Sequence, residues 1–515
     1  MIVYTCLYNS TVFAVKGVVF MTVLSIINKV VIGIVSVAFA FQIIYLFLFF
    51  LKPEKYKKAG KKHRFAVIIC AHNEGEVIGA TVRNLMLQRY PRDKFDVFVV
   101  ADNCSDDTAA KAAAAGAVVF ERSEPDAKKR GAAYALRHGI EKILADYPDV
   151  EAFIRFDADN FPLPDYIDRM NDAFDSGAEL ARGYNHATNL TQNIVSGVSG
   201  LWYIRDCRFN CHARSALRIG EMLVGGGMMF SASVIRETDG WTAMSFSEDA
   251  EFTCNQLFKK RKAHYVSEAV VYEDQPSTVG QLFKRNMRMG RGLLRLFFTH
   301  GVKCLGMFFV SFRYSLLDMF LTLLFIPIAG LCCIWFPAYY IILFSQCLAP
   351  LTHAAFMAEI FNLGMILVFA FIVPFIAQAF LVFFLDRRKI GTTLKQTLPA
   401  ILAFPLFMII YALGITAGFI LRAKWKSISR SKYYDESFVK TLEEATGSDF
   451  DYILNGKRKK TFAPSFTLGG VLQEEEAATP AYCKAAFKEA RPFSAYPDIE
   501  ETALEEVAAA LDDAL

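Results

Sequence analysis

Three common signatures of nucleotide and metal chemistry are missing from this chain. No GxGxxG follows its first β-rich run, no GxxxxGK[ST] occurs anywhere, and none of the 11 cysteines forms a CxxC. The first two absences disfavour a dinucleotide oxidoreductase and a P-loop ATPase, whose glycine loops bring backbone N–H groups against phosphate. The third removes the usual zinc ribbon and redox pair. Cys207, Cys211 and His212 lie close together, but three candidate ligands without a fourth make a poor structural zinc site, and a reducing compartment accounts for free thiols. Charge imbalance is lacking too. Lys and Arg number 56 against 52 Asp and Glu, a net +4 that gives no case for nucleic-acid binding. Charged residues make up 21% of the chain and hydrophobic ones 54%, too apolar a composition for an ordinary soluble enzyme of 515 residues.

The apolar residues are concentrated at the two ends of the first 420 positions. "KVVIGIVSVAFAFQIIYLFLFFL", from Lys29 to Leu51, is long enough to cross a bilayer, and its length and lack of a small-residue cleavage site argue against a removed signal peptide. The Lys/Arg-rich "KPEKYKKAGKKHR" after it places the adjoining domain in the cytoplasm by the positive-inside rule, with the N-terminus outward. Val12 to Ile27 is apolar but carries Lys16, and reads as a second span, an interfacial helix, or residues upstream of a start at Met21. Leu316–Leu348, Phe361–Leu385 and Leu398–Leu421 are apolar again. The first is one tilted span or two short ones broken near Pro337, giving three or four spans. Basic stretches come after both Leu385 ("DRRK") and Leu421 ("RAKWKSISRSK"), and a single span between them cannot leave both inside. One segment is therefore re-entrant or interfacial, or the rule is broken once. The expected division is a transmembrane part over 1–51, a cytoplasmic domain over 52–277, an amphipathic interfacial helix over 278–303, transmembrane helices over 304–422, and an acidic, largely disordered tail over 423–515.

Between Arg64 and Glu273 the pattern changes to short β-rich runs separated by helical stretches: "FAVIIC", "FDVFVVAD", "AVVFER" and "AFIRFDAD" alternate with "GEVIGATVRNLMLQ", "TAAKAAAAG" and "KKRGAAYALRHGIEKIL". Such alternation predicts an α/β domain with a parallel sheet covered by helices on both faces, and ligands then bind outside the carboxyl ends of the strands. Polar residues fall at those ends: His72, Asn73 and Glu74, then Asp102 and Asn103, then Asp157 and Asp159. Each has a plainer reading as loop or cap, above all Ser105, Asp106 and Asp107 before a helix. If Asp157 and Asp159 stand two apart on a strand they share a face and address one Mg²⁺ or Mn²⁺ together, although "DADNFPLP" is equally good turn chemistry. Downstream, "FSEDAEF" supplies a second carboxylate pair, Glu248 and Asp249, and Gly225, Gly226 and Gly227 would let backbone approach a ligand closely or simply turn the chain.

Four segments in order, "AVIICAHNEGEVI", "VVADNCSDDT", "FDADNFPLPDYI" and "SEDAEF", resemble the membrane-integrated family 2 glycosyltransferases, the group containing cellulose, chitin, hyaluronan and poly-N-acetylglucosamine synthases. The resemblance covers about Arg64 to Gly292 and implies a GT-A fold, a Rossmann-like nucleotide-diphospho-sugar transferase domain. By position it implies that Asp102 accepts the uracil imide hydrogen, with Ala71 and Glu74 lining the nucleoside pocket. Asp157 would lie near ribose and diphosphate, Asp159 would hold the divalent metal, and Lys129 or its neighbours Lys128 and Arg130 would reach the phosphates. Asp249, with Glu248 beside it, would be the general base. Implied partners are a UDP-sugar, guessed as UDP-GlcNAc or UDP-glucose, a glycan or glycolipid acceptor, and membrane lipids; the implied reaction is a one-step displacement with inversion.

One element departs from the polymer synthases. Their Gln-x-x-Arg-Trp motif corresponds here to "QLFKRNMRMGRG": Arg288 matches the diphosphate-binding arginine, whereas Met289 stands where an acceptor-stacking tryptophan belongs. Arg285, Arg288, Arg291 and Arg295 also recur at helical spacing and read as a basic face on anionic headgroups. Three functions remain open: a processive synthase, a single-addition enzyme acting on a lipid acceptor, and a transporter or scaffold with a relic nucleotide-binding domain.

Overall fold

The structure, a computed structural model, describes residues 2–346 and 353–421; the expected acidic tail and the basic stretch after Leu421 lie outside the described residues. A helix α1, Ile2–Phe47, leads by a short turn and an extended stretch into the α/β domain. There the order is β1 (Phe65–Ala71), α2 (Ile78–Met86), β2 (Phe95–Asp102), α3 (Thr108–Ala114), β3 (Val118–Arg122), α4 (Ala132–Asp146) and β4 (Ala152–Phe156). It continues through β5 (Asn160–Pro162), α5 (Tyr166–Asp175), β6 (Leu180–Ala187), α6 (Ile194–Arg205), α7 (His212–Leu217), β7 (Met228–Ser231), α8 (Ala232–Arg236), α9 (Glu248–Phe258) and β8 (Ala263–Glu273).

These strands make one eight-stranded sheet, ordered β3-β2-β1-β4-β7-β6-β8-β5. The expected parallel arrangement holds for β3-β2-β1-β4. Beyond it the sheet is mixed: β7 runs antiparallel to both β4 and β6, and β5 antiparallel to β8. Four-residue β7 and three-residue β5 are too short to show a period, which is why the sequence pattern does not reveal them. The strand β1 illustrates the construction. Val67 and Ile69 point to one face, among Ile78 and Val82 of α2 and Met170 of α5, while Ala66 and Ile68 point to the other, among Leu136 and Ile140 of α4 and Phe252 of α9. Both faces are covered, so the strand is apolar throughout.

After the sheet come α10 (Val279–Leu296), α11 (Val302–Ser311), α12 (Tyr314–Gln346), α13 (His353–Ile366), α14 (Val373–Leu385), α15 (Arg387–Ile390) and α16 (Leu394–Ile420). Among the described residues, five helical stretches are long and apolar enough to cross a membrane: Thr22–Phe50, Val279–Ser311, Tyr314–Ser345, Ile360–Leu385 and Leu394–Ile420. The segment around Pro337 is not two short spans. It is one helix of 33 residues with Pro327 and Pro337 inside, about 50 Å long at ~1.5 Å per residue. Helix α16 lies against the domain along its length: Ala400 meets Gly197 of α6, Tyr411 packs 5.1 Å from Trp202, and its backbone at Ile415 closes on Gly290 of α10. The turn carrying "DRRK" is docked as well, with Tyr184 donating to Asp386 at 3.1 Å and Lys389 donating to the Ser267 carbonyl at 2.8 Å.

Candidate active site

Strands β1, β2 and β4 all end at one edge, and the loops after β1 and β2 are stitched together there. The Glu74 N–H donates to Thr108 Oγ1 (2.9 Å), the Ser105 N–H to Asn73 Oδ1 (2.8 Å), and His72 Nδ1 to the Asp102 carbonyl (2.7 Å). Asn73 and Asn103 take left-handed conformations at φ 54° and 52°, which asparagine tolerates better than most residues. Ala71 is buried and faces Ala101 in the parallel register. Asp106 caps the α3 start, accepting from the Thr108 and Gly75 N–H groups, while Asp107 at the cap position makes no side-chain cap.

Asp102 closes β2. Its Oδ1 accepts from Arg122 Nη1 at 2.5 Å and Asn103 Nδ2 at 2.8 Å, and its Oδ2 from the Gly131 N–H at 3.4 Å. Lys128 and Lys129 are not on α4, as the sequence pattern implies, but in an exposed 3₁₀ turn ahead of it, because Gly131 at φ 126° breaks the chain's direction before the helix starts. The Lys129 carbonyl accepts from Arg122 Nη2 at 2.8 Å, so the turn is tied to the same arginine that holds Asp102.

Asp157 and Asp159 are not on a strand. β4 stops at Phe156, and a tight turn carries both aspartates before β5 begins at Asn160. The Asn160 side chain accepts the Asp157 N–H (2.9 Å) and the Asn160 N–H returns to the Asp157 carbonyl (3.1 Å). The two therefore do not share a strand face: the Asp157 side chain is 41% exposed, whereas Asp159 is buried. Turn chemistry and carboxylate presentation coexist in one segment.

Joining this turn to the second carboxylate pair is Arg155, a residue that sequence reasoning missed. It sits inside β4, 4% exposed, with Nη2 3.3 Å from Asp157 Oδ1 and Nη1 2.8 Å from Glu248 Oε1. Its sequence signal is a single arginine within "AFIRF", since a guanidinium is rarely buried without a partner. Glu248 and Asp249 open α9, where the helix dipole favours negative charge. Burial acts in the other direction, pushing the Glu248 carboxyl up to about 6 and raising Asp249, with Arg155 opposing both. Glu248 is buried against Arg155. Asp249 is half-buried, and its Oδ1 accepts only its neighbour's N–H, from Ala250 at 2.8 Å.

Gly225 and Gly226 lie over the aspartate turn. A Cβ on Gly225 would stand 3.3 Å from Asp157 Oδ2, and one on Gly226 2.9 Å from Asn160 Oδ1. Among the described residues no cluster of three His, Cys, Asp or Glu side chains is arranged to hold a metal. Asp157 presents a carboxylate beneath Gly225, where a Cβ would crowd it, and such hard oxygens suit Mg²⁺ or Mn²⁺ completed by phosphate oxygens. Cys207 and Cys211 are buried near Asp206, but His212 turns away to the Leu51 carbonyl, so these three do not converge.

The four arginines of α10 do not share a lipid-facing surface. Arg285 is buried, donating to Gln275 Oε1 (2.9 Å) and Ser199 Oγ (2.6 Å) with its guanidinium 5.5 Å from the Tyr203 ring centroid. Arg288 and Met289 are half-buried, and only Arg291 and Arg295 are exposed. The register of α10 against α6 and α16 turns the first of the four inward.

Residues 63–292 match the model of the Glycosyltransferase like family 2. The chain is 26% identical over 249 residues to the probable glycosyltransferase YdaM of Bacillus subtilis, covering 44% of this chain and 55% of that protein. It is 24% identical over 276 residues to poly-beta-1,6-N-acetyl-D-glucosamine synthase of Staphylococcus aureus, covering 50% of this chain and 63% of that one. Among solved structures, a mannosyltransferase from Pyrobaculum calidifontis in complex with GDP-Man and Mn²⁺ aligns at 16% identity and a TM-score of 0.48, over 75% of this chain and 97% of that one. The family match and the mixed, Rossmann-like sheet make this an α/β domain of the GT-A class. The chain carries a family 2 glycosyltransferase domain, and it spans between half and two thirds of the length of the curated relatives it matches.

Proposed function

We propose that the protein transfers a sugar, with inversion, from a UDP-sugar to a hydroxyl of a glycan or glycolipid acceptor at the cytoplasmic face of a membrane. The observation that carries this reading is Arg155, which binds the Asp157 turn and the Glu248 helix start at once and so brings the two carboxylate sites together. Asp157 and Asp159 would hold Mg²⁺ or Mn²⁺, which when bound offsets charge on a departing nucleoside diphosphate. Asp102, Ala71 and Glu74 would receive the nucleoside, and Lys129 and Arg288 are assigned to the phosphates. Asp249 removes the acceptor's proton as its oxygen bonds to the anomeric carbon and the bond to the diphosphate breaks. Glu248, already held by Arg155, keeps that helix start in register. A raised Asp249 pKa suits a base that must bind a proton in the transition state. UDP-GlcNAc is the first donor to try, on the name of the staphylococcal relative.

Membranes containing the protein should release UDP from a UDP-sugar, and Asp159→Ala and Asp249→Asn should sharply reduce that release. No UDP or GDP release from any common nucleotide sugar, with wild type and variants alike, would sink the reading. Met289 favours a second version, one addition per acceptor, because a thioether offers no flat face for a sugar ring. Product sizing separates a ladder from a single step.

A further inference from the structure

A second site lies on the opposite edge of the sheet. Where β6 and β8 begin, a cavity of about 370 Å³ is lined by Glu54, Ser215, Arg218, Glu221, Lys262 and His264, among others. Its floor is Glu221, 2% exposed, and neither carboxylate oxygen has a hydrogen-bond partner. The nearest cation is Arg214 Nη1 at 3.7 Å, too far to donate, and Arg214 is already engaged by Asp318 of α12 at 2.9 Å. A buried carboxylate left without donors is costly, so a ligand bringing N–H groups to it would be held strongly. Cations stand around the cavity's rim. Arg218, in a left-handed turn at φ 55°, has a side chain 79% exposed and 3.9 Å from Glu54, and Lys262 Nζ uses one of its three donors on the Arg218 carbonyl at 2.8 Å.

An acid without donors at the floor and cations around it suit a zwitterion. We propose that this cavity binds an aminoalkyl phosphate, its ammonium on Glu221 and its phosphate on Arg218 and Lys262. Two sources share that chemistry, an ethanolamine phospholipid headgroup and a soluble aminoalkyl phosphate. The headgroup has ready access, because Glu54 lies just past the apolar helix ending at Phe50 and its N–H donates to Ser215 Oγ at 3.0 Å.

Calorimetry on the full chain in detergent, with phosphoethanolamine, phosphocholine and inorganic phosphate as probes, tests the site. Phosphoethanolamine should bind roughly tenfold or more tightly than phosphocholine, which has no N–H to give, and than phosphate. Glu221→Gln should erase that preference. Lys262→Ala, at an exposed position, should weaken phosphoethanolamine and phosphate together. Three probes binding within about twofold of one another, or a preference that survives Glu221→Gln, overturns the proposal. Competition by nanodiscs of phosphatidylethanolamine, and not of phosphatidylcholine, assigns the lipid source; binding of free phosphoethanolamine without such competition assigns the soluble one, and either upholds the site.

Discussion

The two halves of the sheet are held by different forces. In β3-β2-β1-β4 the interior is aliphatic and aromatic, and alternate side chains go to alternate faces. From Arg155 at the seam onward, through β6, α6, α7 and α10, the interior contains arginine: Arg155, Arg182, Arg205, Arg214 and Arg285 are all buried. Two of them take partners from far along the chain. Arg205 donates to Gln42 of α1 (3.1 Å) and Gln378 of α14 (3.2 Å), and Arg214 to Asp318 of α12 (2.9 Å). The second half is built into the long helices, without which Arg205 and Arg214 would be stranded.

The largest effect expected at the meeting of the halves is on chemistry. Asp249→Asn keeps the side chain's shape and its Ala250 contact but cannot accept a proton, so UDP release should fall by roughly 10²- to 10⁴-fold, the usual worth of a general base. A loss below about tenfold would move the base elsewhere and leave Asp249 a positioning residue. Next in size is the seam itself. Arg155→Met removes a buried cation between Asp157 and Glu248 and should destabilise the protein by about 3–5 kcal/mol. Arg155→Met combined with Glu248→Met should recover much of that loss, because no buried charge is then left unpaired. Thermal unfolding in detergent measures both. Additive losses would mean that the pair is not coupled, and the seam would lose its special status.

A smaller effect concerns protons. Glu248 has its pKa raised to about 6 from 4.5, so over that interval the folded state binds the proton more tightly than the unfolded chain does. Stability therefore declines as pH climbs from 4.5 through about 6 and is level above it. Glu248→Gln cannot titrate and should lack that decline. Parallel pH profiles for the two proteins would show that Arg155 already keeps Glu248 ionised throughout.

The same contrast explains what the sequence discloses. β1, β2, β3 and β4 announce themselves by length, β-rich composition and intervening helices, and the carboxylates at their ends lie at one edge. Asp157 and Asp159 stand out in the sequence for a partly wrong reason: they share a turn, not a strand face, and Asn160 fixes the turn through bonds that no spacing rule encodes. Arg155 is printed in the most suggestive segment of the chain and still escapes notice, because its importance depends on Glu248 being folded beside it. Helical spacing alone assigns Arg285 to lipid. Spacing says which residues share a helix face, but only Ser199 and Gln275 say that this part of the face is inward. Buried charge is legible as an oddity in sequence and intelligible only with its distant partner.

The smallest effect tests the first half, at its exposed margin. Lys129 is in the turn whose backbone is tied to Arg122, and its neighbour Arg130 is turned back onto the Glu124 and Pro125 carbonyls (2.8 and 3.3 Å), leaving Lys128 and Lys129 as the turn's outward cations. An exposed cation meeting a phosphate in solvent contributes on the order of 0.2–1 kcal/mol. Lys129→Ala should then raise the donor KM by up to roughly fivefold and leave kcat unchanged, since such a contact serves ground and transition states alike. A fall in kcat of about a hundredfold would instead require that the turn close over the donor and exclude water. In that event the margin of the aliphatic half would acquire the strong, desolvated electrostatics that the structure otherwise places at the arginine-bearing seam.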